Sequence, residues 1–297
     1  MKNRLLYIIG MLLLVGCGGQ QPSTEPALYV SIPPLRTLVT EIVGDDFEVK
    51  VLVPAGASPE TFEPTPRQFI ELNRAELIFQ VGLLDFEQTL LDKLQAQERI
   101  VNLSEGVDLL AGHCAHSHAA HHSACDCEAG HHPTATHTHG IDPHIWTSPK
   151  ALRQMASNAW EAIARAYPDS VKYTENYALL QQKISELDRR TAEKIAQRAL
   201  PYFLIYHPAL SYYARDYGVE QVAIEDQGKE PSARRLSELI HQARKAGIRA
   251  IFYQSQYPAS TVEIIASDIG AQCVEIDPLR EDVIANIDHI TDLICSK

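Results

Sequence analysis

A chain of 297 residues with 38 acidic side chains against 26 lysines and arginines carries a formal net charge of −12. That balance argues against nucleic acid as a partner, because a phosphate backbone is met by a basic surface, and it suits a cation ligand. The length beyond a short leader is enough for two domains of ordinary size, and one anomaly dominates the composition: nine of the thirteen histidines are gathered between Gly112 and Gly140.

The chain opens with Lys2 and Arg4, an apolar run from Leu5 to Val15, and Gly16 before Cys17. This is a charged start, a hydrophobic stretch too short to span a bilayer and a small residue before a cleavage point. Leu14-Val15-Gly16-Cys17 has the form of a bacterial lipobox, so residues 1–16 are expected to leave as a lipoprotein signal peptide and Cys17 to carry the lipid that attaches the protein to a membrane. Loss of Lys2 and Arg4 takes the net charge from −12 to −14. Residues 17–26 are a Gly, Pro and polar tether with nothing to bury, and the folded part should begin near Ala27.

From there, short apolar and β-branched runs recur. They are Leu28 to Ile32, Val49 to Val53, Leu77 to Val81, Ile100 to Leu103, Tyr202 to Tyr206, Val219 to Ile224, Ala250 to Tyr253 and Cys273 to Ile276. Stretches of helical periodicity separate most of them, so strands and helices alternate, which is the pattern of α/β lobes with mostly parallel sheets. Pro149 to about Arg198 differs: it is almost all helix formers, with Pro168 as its one interruption. Asp169-Ser170 can start a new helix there, and Leu179, Leu180, Ile184 and Leu187 give it an apolar face. A helix of roughly thirty residues would be about 45 Å long, more than one lobe is wide. The expected organisation is an N-terminal lobe over 27–165, a rigid linking helix over 166–199 and a C-terminal lobe over 200–297.

The histidine-rich segment, 113–139, interrupts the first lobe. It holds His113, His116, His118, His121, His122, His131, His132, His137 and His139 with Cys114, Cys125 and Cys127. Imidazole and thiolate hold Zn(II), Cu and Ni at neutral pH, so the segment points to transition-metal handling. It has no hydrophobic run to close around, and so it reads as a metal-collecting loop, not a folded zinc module. Cys273 and Cys295 form a separate pair. An oxidising compartment would permit a disulfide between them, and two separate buried thiols is the alternative.

Four further candidates fall just beyond strands or beside the loop: Glu60 in the turn after Val49 to Val53, His144 behind the histidine-rich segment, His207 after Tyr202 to Tyr206, and Asp277 after Cys273 to Ile276. Ligands of open α/β sheets bind outside the carboxyl ends of the strands. Each of the four has a proline beside it, and their long irregular spacing means that a shared site needs both lobes.

Several segments together carry a resemblance. They are the lipobox, the PAGASPETFEPTP turn (54–66), the histidine-rich insertion leading into DPHIWTSP (142–149), the long helix, YHPALSYYARDYGV (206–219), GKEPSARRLSEL (228–239) and EIDPL (275–279). Together they resemble the zinc/manganese substrate-binding lipoproteins of ABC importers over nearly all of the chain after Cys17. The resemblance implies two similar α/β lobes joined by one rigid helix, and one divalent cation in the cleft between them. It also implies a monomer in the cell envelope, in the periplasm or on the outer face of a membrane, that delivers the ion to a membrane permease.

Carried over by position, His144, His207 and Asp277 match three ligands of that family. Glu60 stands where the family usually has histidine, and Gln254 where it commonly has an acid, which limits Gln254 to a supporting role. Glu230 and Arg234 also match, though a polar helix start explains them equally well. Two imidazoles with two carboxylates form a harder set that suits Mn(II) or Fe(II) better than three imidazoles do, but Zn(II) outranks both on nearly any such site and the loop is rich in nitrogen, so zinc is the expected ion. No HExxH, GxSxG, GxGxxG or GxxxxGK[ST] signature occurs, and the chain is read as a carrier instead of an enzyme. A metal-storage or adhesin lipoprotein working through its loop alone is the remaining class.

Overall fold

A computed structural model describes residues 27–112, 140–225, 229–257 and 259–296. The expected lipid site at Cys17, the leader, the tether and the nine loop histidines lie outside the described residues. Among the described residues no helix is long and apolar enough to cross a membrane.

All eight apolar runs are strands. The first lobe is built from β1 (Ala27–Val30), α1 (Pro33–Val43), β2 (Glu48–Val51), α2 (Pro66–Leu72), β3 (Leu77–Gln80), α3 (Asp85–Leu91), β4 (Ile100–Asn102) and α4 (Pro149–Ala166). After α5 (Val171–Ala196) the second lobe runs β5 (Tyr202–Ile205), α6 (Ser211–Tyr217), β6 (Glu220–Ala223), α7 (Ala233–Ala246), β7 (Ala250–Tyr253), α8 (Ala259–Ile269), β8 (Gln272–Glu275) and α9 (Val283–Ser296). Each lobe holds a four-stranded parallel sheet, ordered β2-β1-β3-β4 in the first and β6-β5-β7-β8 in the second. Leu28 pairs with Val49 and Leu77, and Leu204 with Val222 and Ile251, so the same register scheme is used twice. Parallel sheets are covered on both faces, which is why β1 is buried at every position.

Local chemistry sets the helix starts that matter for the site. Ser148 caps α4 by accepting from the Lys150 and Ala151 amides, with Pro149 in the first turn. Thr65 and Gln68 form a capping box at α2, and Gln68 Nε2 reaches back to the Leu52 carbonyl at 2.9 Å, which fastens the end of the 54–65 turn to β2.

The linking helix is shorter than its sequence suggests. Tyr167-Pro168 ends α4, and α5 begins afresh as a helix of 26 residues, about 39 Å long at 1.5 Å per residue. Ser170 occupies its N-cap position without a side-chain cap bond. Tyr173, Leu180, Ile184, Leu187, Thr191 and Ile195 make one buried stripe along it. This stripe packs on α1 and α4 of the first lobe and on α9, which returns from the second. Alternate residues of the second sheet divide between two cores, as period two requires. Phe203, Ile205 and Phe252 join Val283, Ile287 and the first-lobe residues in one continuous cluster, whereas Leu204, Tyr206 and Ile251 face α7 and α8 in a second. The lobes therefore share a hydrophobic core.

A Cys273–Cys295 disulfide, one of the two readings left open by the sequence, is corrected: both are free thiols. Cys273 is exposed on edge strand β8 beside Glu263, while Cys295 packs from α9 toward Arg198 and into the shared core. The two side chains belong to different surroundings.

Candidate metal centre

The strands of both sheets end toward one cleft, and the loops leaving them carry the candidate ligands. The chain beyond β2 continues the ladder for two residues, through Leu52 N to Val30 O (2.9 Å) and Val53 N to Ser31 O (3.0 Å). It then turns at Ala57, whose amide reaches the Pro54 carbonyl, and at Ser58, whose Oγ accepts from the Glu60 amide at 3.3 Å. This presents Glu60 at the mouth of the cleft, its side chain 45% exposed.

His144 is fixed by its own neighbour. Asp142 Oδ1 accepts from both the backbone amide (2.9 Å) and the ring Nδ1 (2.8 Å) of His144, while the Tyr212 hydroxyl holds the Asp142 carbonyl at 2.7 Å. His207, the first residue past Tyr206, donates from Nδ1 to Glu225 Oε1 at 2.9 Å. Its backbone is locked by Gln254, whose Oε1 accepts from the His207 amide (3.4 Å) and whose Nε2 donates to the His207 carbonyl (3.0 Å). Both histidines therefore commit Nδ1–H to a buried carboxylate, which assigns the tautomer and aims an Nε2 lone pair into the cleft.

The three aimed atoms converge. His207 Nε2 lies 3.3 Å from His144 Nε2 and 3.2 Å from Glu60 Oε1, and ligand atoms of all three residues lie within 4.8 Å of one another. Two lone pairs and a carboxylate oxygen facing each other repel unless something positive stands between them. In the metal-free protein a proton does. Burial opposes charging His207, but the Glu225 and Glu60 carboxylates prevail and raise it to about 9. The same contact with His207 brings Glu60 down to about 2 against its burial. A donor set of two imidazoles and one carboxylate in a cleft walled by Trp146, Tyr257 and Leu279 suits a borderline divalent cation, with room for a fourth donor.

Asp277, the fourth candidate, is not among these three. Its Oδ1 accepts from the Leu279 amide at 3.0 Å and its carbonyl accepts from Asn286 Nδ2 at 2.8 Å, so it caps its own turn. That turn is nonetheless docked on the site. The Trp146 indole donates to the Pro278 carbonyl at 3.0 Å, and Pro278 and Leu279 line the same cavity. Glu230 and Arg234 play no part at the donors: Glu230 accepts from the Thr261 hydroxyl, and Arg234 pairs with Glu238 on the surface of α7.

Sequence reading missed Asp142, Glu225 and Tyr257. Glu225 stands just past β6, at the carboxyl end of a strand like His207, and the same positional rule could have found it. Asp142 lies in the DPHIW run two residues before its imidazole. Tyr257 stacks on His207, rings 4.9 Å apart and 17° from parallel, and donates to Glu60 Oε2 at 3.0 Å, a contact across the lobes that carries no local signature. The histidine-rich segment springs from this cleft as well. Ala111 and Ile141 pair antiparallel, the Asp142 amide reaches the Leu110 carbonyl at 3.0 Å, and Gly112, Gly140 and Ile141 line a cavity with His144 and His207.

Comparison with known proteins finds relatives over most of the chain. The zinc-binding protein AdcA of Streptococcus pyogenes serotype M3 is 28% identical over 258 residues, 83% of this chain and 49% of the relative, so the chain spans about half the length of such relatives. The high-affinity zinc uptake system protein ZnuA of Bacillus subtilis is 28% identical over 293 residues, covering 93% of this chain and 88% of that one. A crystal structure of ZnuA superposes with a TM-score of 0.78 at 30% identity over 91% of this chain and 98% of the other. Residues 28–293 match the family described as zinc-uptake complex component A, periplasmic, and the chain belongs to that family.

Proposed function

We propose that this protein is a zinc receptor of the cell envelope, anchored through lipid on Cys17, that captures the ion in its interlobe cleft and delivers it to an ABC permease for import. The observation that carries the reading is the convergence of Glu60 Oε1, His144 Nε2 and His207 Nε2, with both imidazoles oriented by the Asp142 and Glu225 carboxylates. Asp277 is proposed as the fourth donor, supplied by the turn that Trp146 docks against the cleft. The zinc-binding and zinc-uptake names of the relatives support the choice of ion. Nothing in the donor set requires catalysis, and no substrate other than the ion is invoked.

The histidine-rich segment is assigned an accessory role, gathering zinc near the cleft from which its two ends emerge. Zinc and manganese dissociation constants, measured by chelator competition on the wild type and on His207→Ala, test the reading. Loss of a group that merely orients a metal ligand costs roughly 10- to 100-fold in affinity, so removing a donor should weaken the tight zinc site by at least about a hundredfold. Unchanged tight binding in His207→Ala would move the function out of the cleft and into the loop.

A further inference from the structure

Glu60 is the donor least enclosed by protein, its side chain 45% exposed against 11% for His207 and 12% for His144. Its two oxygens are not equivalent. Oε1 faces His207 Nε2 at 3.2 Å, while Oε2 accepts from the Tyr257 hydroxyl at 3.0 Å. Tyr257 is itself held from beneath: its ring stacks on the His207 imidazole, and its amide donates to the Gln254 carbonyl at 3.0 Å. Gln254 is 3% exposed and bonds both backbone groups of His207. One loop beyond β7 thus sets the orientation of two donors from opposite lobes.

A carboxylate that commits one oxygen to a phenol offers a metal only the other. With two imidazoles this makes three donor atoms and leaves room for a fourth, the tetrahedral number that Zn(II) adopts. Mn(II) and Fe(II) favour larger, oxygen-richer coordination, which a carboxylate chelating through both oxygens would help to supply. We propose that Tyr257 holds Glu60 to one-oxygen coordination and is thereby a specificity-determining residue that favours zinc over manganese and iron. This rests on the receptor reading given above. It also explains how a site with glutamate at its first corner keeps the preference of a softer set.

The test uses the full chain throughout, with His207→Ala supplying the signal of metal held outside the cleft, which is subtracted. Tyr257→Phe keeps the ring stack and removes only the hydroxyl, and its thermal midpoint is compared with wild type to verify folding. Two quantities are read: the ratio of zinc to manganese affinity, and the visible absorption of bound Co(II), which is intense in tetrahedral sites and weak in six-coordinate ones.

Tyr257→Phe is expected to lower the zinc-to-manganese ratio about tenfold, the scale of one charge-assisted hydrogen bond, and to weaken the Co(II) band. In a Glu60→Gln background, where position 60 offers no carboxylate to chelate, the same change should leave the ratio unaltered. An unaltered ratio and band in the Glu60 protein, or an equal loss of zinc and manganese, would overturn the proposal and leave the receptor reading standing. A wild type with no cleft signal above His207→Ala would refute the receptor reading itself.

Discussion

His207 shows how much one side chain is asked to do. In the metal-free protein it is an imidazolium between Glu60 and Glu225, with a pKa of about 9 against about 6.5 for an unfolded histidine. Zinc must displace that proton, so apparent affinity should rise about tenfold per pH unit between pH 6.5 and pH 8.5, and calorimetry in buffers of different ionisation enthalpy should find a proton released. A flat profile would count against His207 as a donor. For stability the sign is opposite. A raised histidine pKa contributes its full stabilisation below pH ~6.5 and loses it as the pH climbs through 9, so the metal-free thermal midpoint should fall across that window more in wild type than in His207→Ala. The sequence revealed this residue, with Glu60 and His144, because each lies beyond a strand or beside the metal-rich segment with a proline fixing the backbone. Glu225, Asp142 and Tyr257 were not legible in the same way. They act on the donors, not on the ion: Asp142 and Glu225 each hold a histidine of their own lobe, and only Tyr257 reaches a donor of the opposite lobe, Glu60.

At the scale of elements, the eight strands were legible because buried parallel strands are short continuous apolar runs, and their observed limits fall within one or two residues of those runs. The break at Pro168 and the restart after Ser170 were legible, and the linking helix expected over 166–199 was overextended only at its ends, since α5 runs Val171–Ala196. The segment 113–139 has an equally structural consequence. Its ends are already joined, with Ala111 paired to Ile141 and the Gly112 amide 2.5 Å from the Gly140 carbonyl. Excising 113–139 and closing the gap with a short turn should leave the thermal midpoint within a few degrees, since no described core residue is removed. The cleft zinc affinity should stay within about threefold of wild type, less than 1 kcal/mol. Loss of all tight zinc binding on excision would instead assign the function to the loop. The Cys273–Cys295 pairing could not be settled from spacing, because it depends on which sides of β8 and α9 the thiols face.

For the molecule as a whole, the shared core is the governing feature. The buried stripe of α5 is packed by α1 and α4 from one lobe and α9 from the other, and Phe203, Ile205, Val283 and Ile287 belong to the same hydrophobic cluster as the first sheet. Opening the lobes as rigid halves would expose that cluster, so metal capture should proceed by small tilts and side-chain ordering instead of a wide hinge motion. Small-angle X-ray scattering should accordingly give the same radius of gyration with and without zinc. A clear contraction on binding would mean that the shared core parts in solution. In such a receptor release would depend on the permease or on protons drawing the ligands away, which agrees with the pH dependence expected of His207.

The most direct test of the central claim is anomalous scattering at the zinc absorption edge from crystals of the protein grown with one equivalent of zinc. One dominant peak bonded to Glu60 Oε1, His144 Nε2 and His207 Nε2 is the predicted result, with the identity of its fourth neighbour deciding the role of Asp277. Zinc scattering confined to other parts of the chain, with nothing between those three atoms, would contradict a cleft receptor.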